Sequence, residues 1–171
     1  MKWIDRKFDF DFPANIYPEF IKRLKSTPYR LETLISEVSP EILSIKQSNK
    51  WSIQENVGHF LTVEGLFAGR LEDYINGAAE LRPAKVNGSR TDQADYNNWQ
   101  IEKILADFSD NRMVYIKRLN DFKADFFETQ SWHPRLGKPM RVCDMLFFQA
   151  EHDDYHLNKI SDLKVLLTKS L

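Results

Sequence analysis

Four stretches of this chain repeat apolar residues at intervals of three and four, the spacing that lines one face of a helix. The first runs from about Asn15 to Glu37 through Ile16, Phe20, Leu24, Leu31, Leu34, Ile35 and Val38. Asn15 is placed to cap it, and Pro28 falls inside it, where a kink or break is expected. Ser39-Pro40 then opens a short turn. The second stretch opens at Trp51-Ser52-Ile53-Gln54-Glu55, where Ser52 and Glu55 have the spacing of a capping box. Its apolar face is Ile53, Val57, Phe60, Leu61, Phe67, Leu71 and Ile75, and Asn76-Gly77 forms its stop. A loop through Pro83, Asn87, Gly88 and Ser89 leads to the third stretch, about Gln93 to Phe122. Its apolar members are Trp99, Ile101, Ile104, Leu105, Phe108, Val114, Tyr115 and Leu119.

Two prolines and a glycine between Trp132 and Pro139 predict a loop without regular structure. The fourth stretch, about Val142 to Leu167, carries the stripe Val142, Met145, Gln149, His152, His156, Ile160, Leu163 and Leu167. That spacing is a bundle seam. At the other end of the chain, Phe8, Phe10 and Phe12 alternate with Asp9 and Asp11 until Pro13. This predicts an extended N-terminal arm that lays its phenylalanines on the bundle. The expectation is an all-α four-helix bundle, with residues 1–14 as the arm and residues 15–171 as the domain. No strand is expected outside the arm.

Composition narrows the function. The 24 basic and 25 acidic residues leave a net charge of −1, so the basic excess of a nucleic-acid binder is missing. The longest basic cluster, Ile21 to Arg30, alternates with apolar residues and reads as a solvated helix face. No stretch approaches the ~20 apolar residues of a membrane span. The start, MKWIDRKFDFDFP, lacks the apolar run of a signal peptide. A single cysteine, Cys143, excludes an intrachain disulfide and fits a reducing cytoplasm. It reads as a small core residue. Trp51 and Trp132 read as packing anchors.

The fourth stretch holds the chemistry. Its seam is apolar at both ends and polar in the middle, where Gln149, His152 and His156 should face inward. A buried polar group without a partner costs about 1–3 kcal/mol, so these side chains need partners, water or a metal. His152 and His156 stand four residues apart, which puts both imidazoles on one helix face. His59, early in the second stretch, would supply a third nitrogen if the second and fourth helices are neighbours. On a helical wheel it sits at the edge of the apolar arc, which leaves open a rim histidine that reaches solvent. Asp153 is a candidate for orienting an imidazole, and Gln149, His133 and Glu55 are candidates for supporting or lining the site. Glu55, Glu64, Glu151 and Asp153 are candidates for a general base. Three imidazoles leave a coordination position open, the arrangement of catalytic rather than structural zinc. The residues alone also leave open a non-catalytic metal-binding protein, or a metal-free bundle with polar core histidines.

Together these features resemble the DinB-like (DinB/YfiT) superfamily of metal-binding four-helix bundles. The matching features are Thr27-Pro28, Trp51-Ser52-Ile53-Gln54-Glu55, His59, His133-Pro134-Arg135-Leu136-Gly137 and Ala150 to His156. The resemblance implies an up-down-down-up bundle with a long crossover, and metal ligation by His59, His152 and His156. It further implies a divalent metal, zinc or nickel, and a homodimer. The activity it implies is a thiol-dependent transferase or a hydrolase acting on a small molecule, with a low-molecular-weight thiol as a partner. The arm lies outside the family pattern.

Overall fold

The computed structural model describes residues 2–84 and 89–169; Asn87 and Gly88 of the expected loop lie outside the described residues. Four long helices form the body. They are α1 (Tyr17–Ser36) and α2 (Ile53–Ile75), then, after the short α3 (Ser89–Ala94), α4 (Ile101–Asn120). A hairpin of β1 (Gln130–His133) and β2 (Lys138–Arg141) leads into α5 (Val142–Thr168). Among the described residues, no helix is long and apolar enough to cross a membrane.

Contacts between side chains give the directions. Arg23 meets Glu151, Thr27 meets Asp153 and Glu37 meets Lys164, so α1 and α5 are parallel. Phe60 meets Phe108, Glu64 meets Arg112 and Glu72 meets Arg118, so α2 and α4 are parallel. His59 meets His152 and Glu64 meets Gln149, so α2 and α5 are antiparallel. The order is therefore up-down-down-up. Each of α1 and α2 packs on both α4 and α5, so the two consecutive helices lie across the bundle's diagonal. Because α2 and α4 run the same way, the chain between them must travel back along the bundle to where α2 began. That return is the long crossover.

The capping box forms as its spacing predicts: the Glu55 N–H donates to Ser52 Oγ at 3.0 Å, and the Ser52 N–H donates to Glu55 Oε2 at 2.8 Å. Gly77, just past the end of α2, takes the left-handed conformation (φ +64°) that suits a helix stop. Other expectations are corrected. Asn15 does not cap α1; it lies in a single 3₁₀ turn, Ala14–Ile16, and Pro18 occupies the helix's first turn. The third stretch is not one helix. Asp95, in the left-handed region (φ 52°), separates α3 from a 3₁₀ turn, and Trp99 is extended ahead of α4. The loop around Gly137 is a hairpin. Its register is Gln130↔Arg141, Ser131↔Met140, Trp132↔Pro139 and His133↔Lys138. Pro139 costs no ladder bond, because the backbone of its partner Trp132 points the other way: its N–H donates to the Ala79 carbonyl, and its carbonyl accepts from Leu81 N–H.

The arm is anchored as expected. Phe8 is buried against Phe148, Phe12 packs on Phe20 and Phe10 on Phe147, with ring centroids 4.9, 5.3 and 6.4 Å apart. Arg141 Nη2 donates to the Phe12 carbonyl at 2.8 Å, and Arg6 pairs with Glu151 at 2.9 Å. Ahead of this extended part, Trp3–Asp5 forms a 3₁₀ turn.

A polar layer divides the core. Apolar residues such as Leu24, Phe67, Tyr115 and Met145 form one half, and Leu31, Phe60, Phe108 and Leu157 the other. Between them lies Arg112, 0 % exposed. Its Nε and Nη2 donate to the two Glu64 oxygens at 2.9 and 2.8 Å, and its Nη1 to Asp153 Oδ2 at 2.7 Å. Thr27 Oγ1 donates to the same Asp153 oxygen at 2.8 Å, and Gln149 Nε2 to Glu64 at 3.3 Å. Burial opposes the guanidinium charge, but Asp153 and Glu64 outweigh it and raise the pKa.

Pro28 belongs to this layer. Helix α1 continues through it instead of breaking. Proline has no N–H, so the carbonyl four residues back, that of Leu24, loses its helical donor. Arg112 Nη1 supplies one at 2.9 Å. Replacing Arg112 by Met strands two buried carboxylates and one carbonyl. Urea unfolding should show a loss of about 3–5 kcal/mol, the range for breaking a buried pair from one side.

Candidate metal centre

The centre is built on α2 and α5, which the polar layer holds side by side. Asp153 points to Arg112, so His152 before it and His156 one turn on turn toward α2 and His59. The ring centroids of the three imidazoles are 5.2 Å (59 to 152), 4.5 Å (59 to 156) and 4.6 Å (152 to 156) apart. One nitrogen from each ring lies within 4.8 Å of those from the other two. His59 Nε2 and His152 Nε2 are 3.3 Å apart. Two nitrogens at about 2.0–2.1 Å from a common tetrahedral zinc would be about 3.3 Å apart, so this pair already has the spacing of ligands.

The other ring nitrogens decide how the imidazoles are oriented. Asn56 Nδ2 donates to the Ser52 carbonyl at 2.8 Å, leaving Oδ1 as the acceptor toward His156 Nδ1 at 3.3 Å. His156 must then carry its proton on Nδ1 and keep a lone pair on Nε2. His59 Nδ1 lies 2.9 Å from Thr91 Oγ1. Thr91 comes from the crossover, which returns here because α4 must start beside the start of α2. Tyr96, further along, packs on Gly58 so closely that a Cβ there would come within 2.2 Å of its ring. Gln54 Nε2 holds the same segment by donating to the Tyr96 and Trp99 carbonyls, each at 2.6 Å. His152 Nδ1 is buried without a partner among the described residues.

All three rings are kept neutral. Burial lowers the pKa of His59 to about 4, although Asp92 works the other way. Burial, then the other imidazoles, holds His152 well below its ordinary value, and burial and His59 do the same to His156. Neutral imidazole is the form that binds a metal. The donor set therefore fits a divalent cation.

The rings open onto a cleft of about 1240 Å³. Trp51 is a wall of it rather than a packing anchor: its ring lies 4.7 Å from that of His59, and its Nε1 donates to Asp92 at 2.7 Å. Trp3 of the arm forms the wall opposite, 5.1 Å from the His152 ring. Trp132 is 43 % exposed and is not among the residues that line the cleft. His133 lines the cleft, with burial first and then Arg70 and Arg135 lowering its pKa to about 3.

The other expected residues lie elsewhere. Asp153 serves Arg112 and Thr27 and touches no imidazole; Gln149 donates to Glu64. Glu55 caps α2 and pairs with Lys46 at 2.6 Å. Glu151 pairs with Arg6 and Arg23. None of the four carboxylates considered as a general base lines the cleft; among the described residues Asp92 and Asp162 do. Cys143 is buried outside it, and burial pushes its thiol up to about 12. Sequence reasoning missed Asn56, Thr91 and Arg70. Asn56, one turn before His59 on a capped helix, was open to detection by spacing. Thr91 was not, since only the path of the crossover brings it near.

Fold and centre together define an antiparallel-and-parallel four-helix bundle with three imidazoles facing a cleft. The chain belongs to the DinB superfamily, whose family pattern matches residues 23–160. It is similar in structure to YfiT from Bacillus subtilis, described as a probable metal-dependent hydrolase with an unusual four-helix bundle topology. The TM-score is 0.83 at 14% identity, over 95% of this chain and 94% of that one. It is also similar to the colibactin self-resistance protein ClbS, solved in complex with a dsDNA. There the TM-score is 0.64 at 17% identity, over 86% of this chain and 94% of that one. No curated protein matches the sequence.

Two outcomes follow. In metal-free protein the unfolded histidines take up protons near pH 6.5, whereas folded His59 does so only near 4. The unfolded state binds more protons between these values, so stability rises with pH across that window and levels off above it. Urea unfolding at about pH 4.5, 5.5 and 7 reads this, and His59→Gln should make the slope shallower without abolishing it, because His133, His152 and His156 are lowered too. Asn56→Leu removes the acceptor that orients His156 and should weaken metal affinity about 10–100-fold, read by competition with a coloured chelator.

Proposed function

We propose that this protein is a metal-dependent hydrolase of a small molecule, with His59, His152 and His156 holding zinc or nickel. The observation that carries the reading is the convergence of three neutral imidazoles from two helices on an open cleft. A divalent metal held by three imidazoles supplies Lewis-acid activation of a nucleophile and keeps a position free for it. Water is the nucleophile in the reading that YfiT's description supports. A low-molecular-weight thiol in its place would make the enzyme a transferase, and the same residues serve both.

The chain's own residues prepare the site. Asn56 and Thr91 fix which nitrogen of His156 and His59 faces the common point. The polar layer keeps α2 and α5 in the register that brings the nitrogens together. Trp51 and Trp3 pack beside the rings of His59 and His152, tilted and edge-on, and wall the cleft there. A small molecule suits the cleft's size. The proposal includes a homodimer in the cytoplasm, which size-exclusion chromatography with light scattering and localisation of the tagged chain would check.

Protein purified without an affinity tag should carry about one divalent ion per chain by elemental analysis, as a three-imidazole site predicts. His152→Ala and His156→Ala should each reduce this to background. Zinc or nickel at about 100 times its dissociation constant should stabilise the native chain by about 2.7 kcal/mol, seen as a raised melting temperature. A melting temperature that neither ion moves would overturn the reading.

A further inference from the structure

Part of the cleft lining, supplied by α2 and the hairpin, carries buried donors that have no partner among the described residues. His133 is 1 % exposed, and its Nδ1 accepts from the Leu136 N–H at 3.2 Å. A neutral imidazole with an acceptor at Nδ1 carries its proton on Nε2. That Nε2–H is buried and has no partner among the described residues. Arg135, on the same hairpin, uses Nη1 on the Ile4 carbonyl at 3.2 Å, while its Nη2 is buried without a partner. Arg70 of α2 is 2 % exposed. Its Nε donates to the Arg82 carbonyl at 3.2 Å, and no carboxylate among the described residues lies within ion-pair distance of it. Arg82 beside it is already matched by Asp73 at 2.7 Å.

Arg70 and Arg135 both act electrostatically on His133, and all three line the cleft. The contrast with Arg112 is direct. That guanidinium, equally buried, bonds to two carboxylates; Arg70 bonds to none among the described residues, and the carboxylate that acts on it from further off, Asp73, is bonded to Arg82. A buried guanidinium is costly to leave unpaired, and its planar fork matches a carboxylate or phosphate. The surroundings favour the same kind of ligand: among the described residues eight lysines and arginines line the cleft against two aspartates, and of the eight Lys46 and Arg82 are matched by Glu55 and Asp73 from outside it. Such a lining concentrates anions.

We propose that Arg70, Arg135 and His133 form an oxyanion-binding subsite, which takes the carboxylate or phosphate of the substrate while its reactive group lies at the three imidazoles. The orientation of the substrate rests on the metal-centre reading; the subsite does not. Benzoate, benzamide and inorganic phosphate are suitable probes, because the first two share a shape and differ in charge. Each is titrated calorimetrically into the full chain, stripped of metal and dialysed free of chelator, and again into the zinc-loaded chain.

Benzoate should bind both forms at least about tenfold more tightly than benzamide, the discrimination that about 1.4 kcal/mol provides. Phosphate binding in place of benzoate would also support the subsite and would assign it to phosphorylated substrates. Arg70→Met and Arg135→Gln should each weaken the bound anion about tenfold or more, whereas Lys159→Gln at the cleft wall should change it less than about threefold. Zinc binding should survive both arginine substitutions, which shows that the variants are folded. Benzoate that binds only the zinc-loaded chain, or equally to Lys159→Gln and the arginine variants, or no better than benzamide with phosphate also silent, would overturn the proposal. Failure of zinc to bind at all, with benzoate still discriminated, would sink the metal reading and leave the subsite standing.

Discussion

One buried guanidinium holds this bundle in register. Arg112 of α4 is bonded to Glu64 of α2, Asp153 of α5 and the Leu24 carbonyl of α1, so the four long helices meet at a single side chain. Apolar seams of leucine and phenylalanine resist separation but tolerate sliding, since one methyl group replaces another at little cost. A charge with fixed hydrogen-bond partners does not tolerate it, because a shift by one turn leaves each partner buried and unpaired. The layer sits one residue from His152 on α5 and about one turn from His59 on α2. It therefore sets the relative height of the elements that carry the three imidazoles. Thr27 and Pro28 are the contribution of α1: one donates to Asp153, and the other frees the carbonyl that Arg112 uses.

Topology supplies what the layer does not. Parallel α2 and α4 oblige the chain between them to run the length of the bundle, and its end must pass the first turns of α2. The segment that arrives there brings Thr91 to His59 and Asp92 to Trp51. The arm closes the other wall, with Trp3 against His152 and Phe8 against Phe148. Neither segment belongs to a long helix of the bundle, yet each places a side chain beside the imidazoles.

Much of this was legible in the amino-acid order. Periodicity located the four helices, and the polar break at Gln149, His152 and His156 marked where the seam departs from pure packing. The seam did not disclose that Gln149 serves Glu64 while the histidines serve a cleft, because both uses demand an inward-facing polar residue. His59 looked marginal on a wheel since a cleft-lining residue is half in the core and half out of it. The hairpin was hidden because Pro139 and Gly137 argue against strands in general; Pro139 sits where the ladder needs no N–H, and Gly137 sits in the turn, where its N–H donates to the His133 carbonyl. Pro28 leaves its helix unbroken for a similar reason. The rule that proline breaks helices assumes an orphaned carbonyl, and Arg112, eighty-odd residues on by chain order, removes the orphan. Composition concealed the cleft's charge, since a net value near zero says nothing about how the signs are distributed.

The contrast between two histidines shows how the fold assigns chemistry to identical side chains. In His156 the Asn56 oxygen takes the Nδ1 proton, so Nε2 offers a lone pair and suits a cation. In His133 the Leu136 N–H occupies Nδ1 as an acceptor, so Nε2 offers a proton and suits an anion. Burial keeps both rings neutral, and a neutral ring has one nitrogen of each kind. The hydrogen bond behind the ring thus chooses the polarity of the face in front of it. Asn56 belongs to a helix start locked by the Ser52–Glu55 capping box, and Leu136 to a turn locked by Gly137 and the hairpin ladder. The backbone around each ring is held rigidly enough to keep its choice. On the proposed reading the imidazole lone pairs hold a metal and the donors of Arg70, Arg135 and His133 hold an anion, so a substrate would meet the metal with its reactive group and the guanidinium groups with its charge.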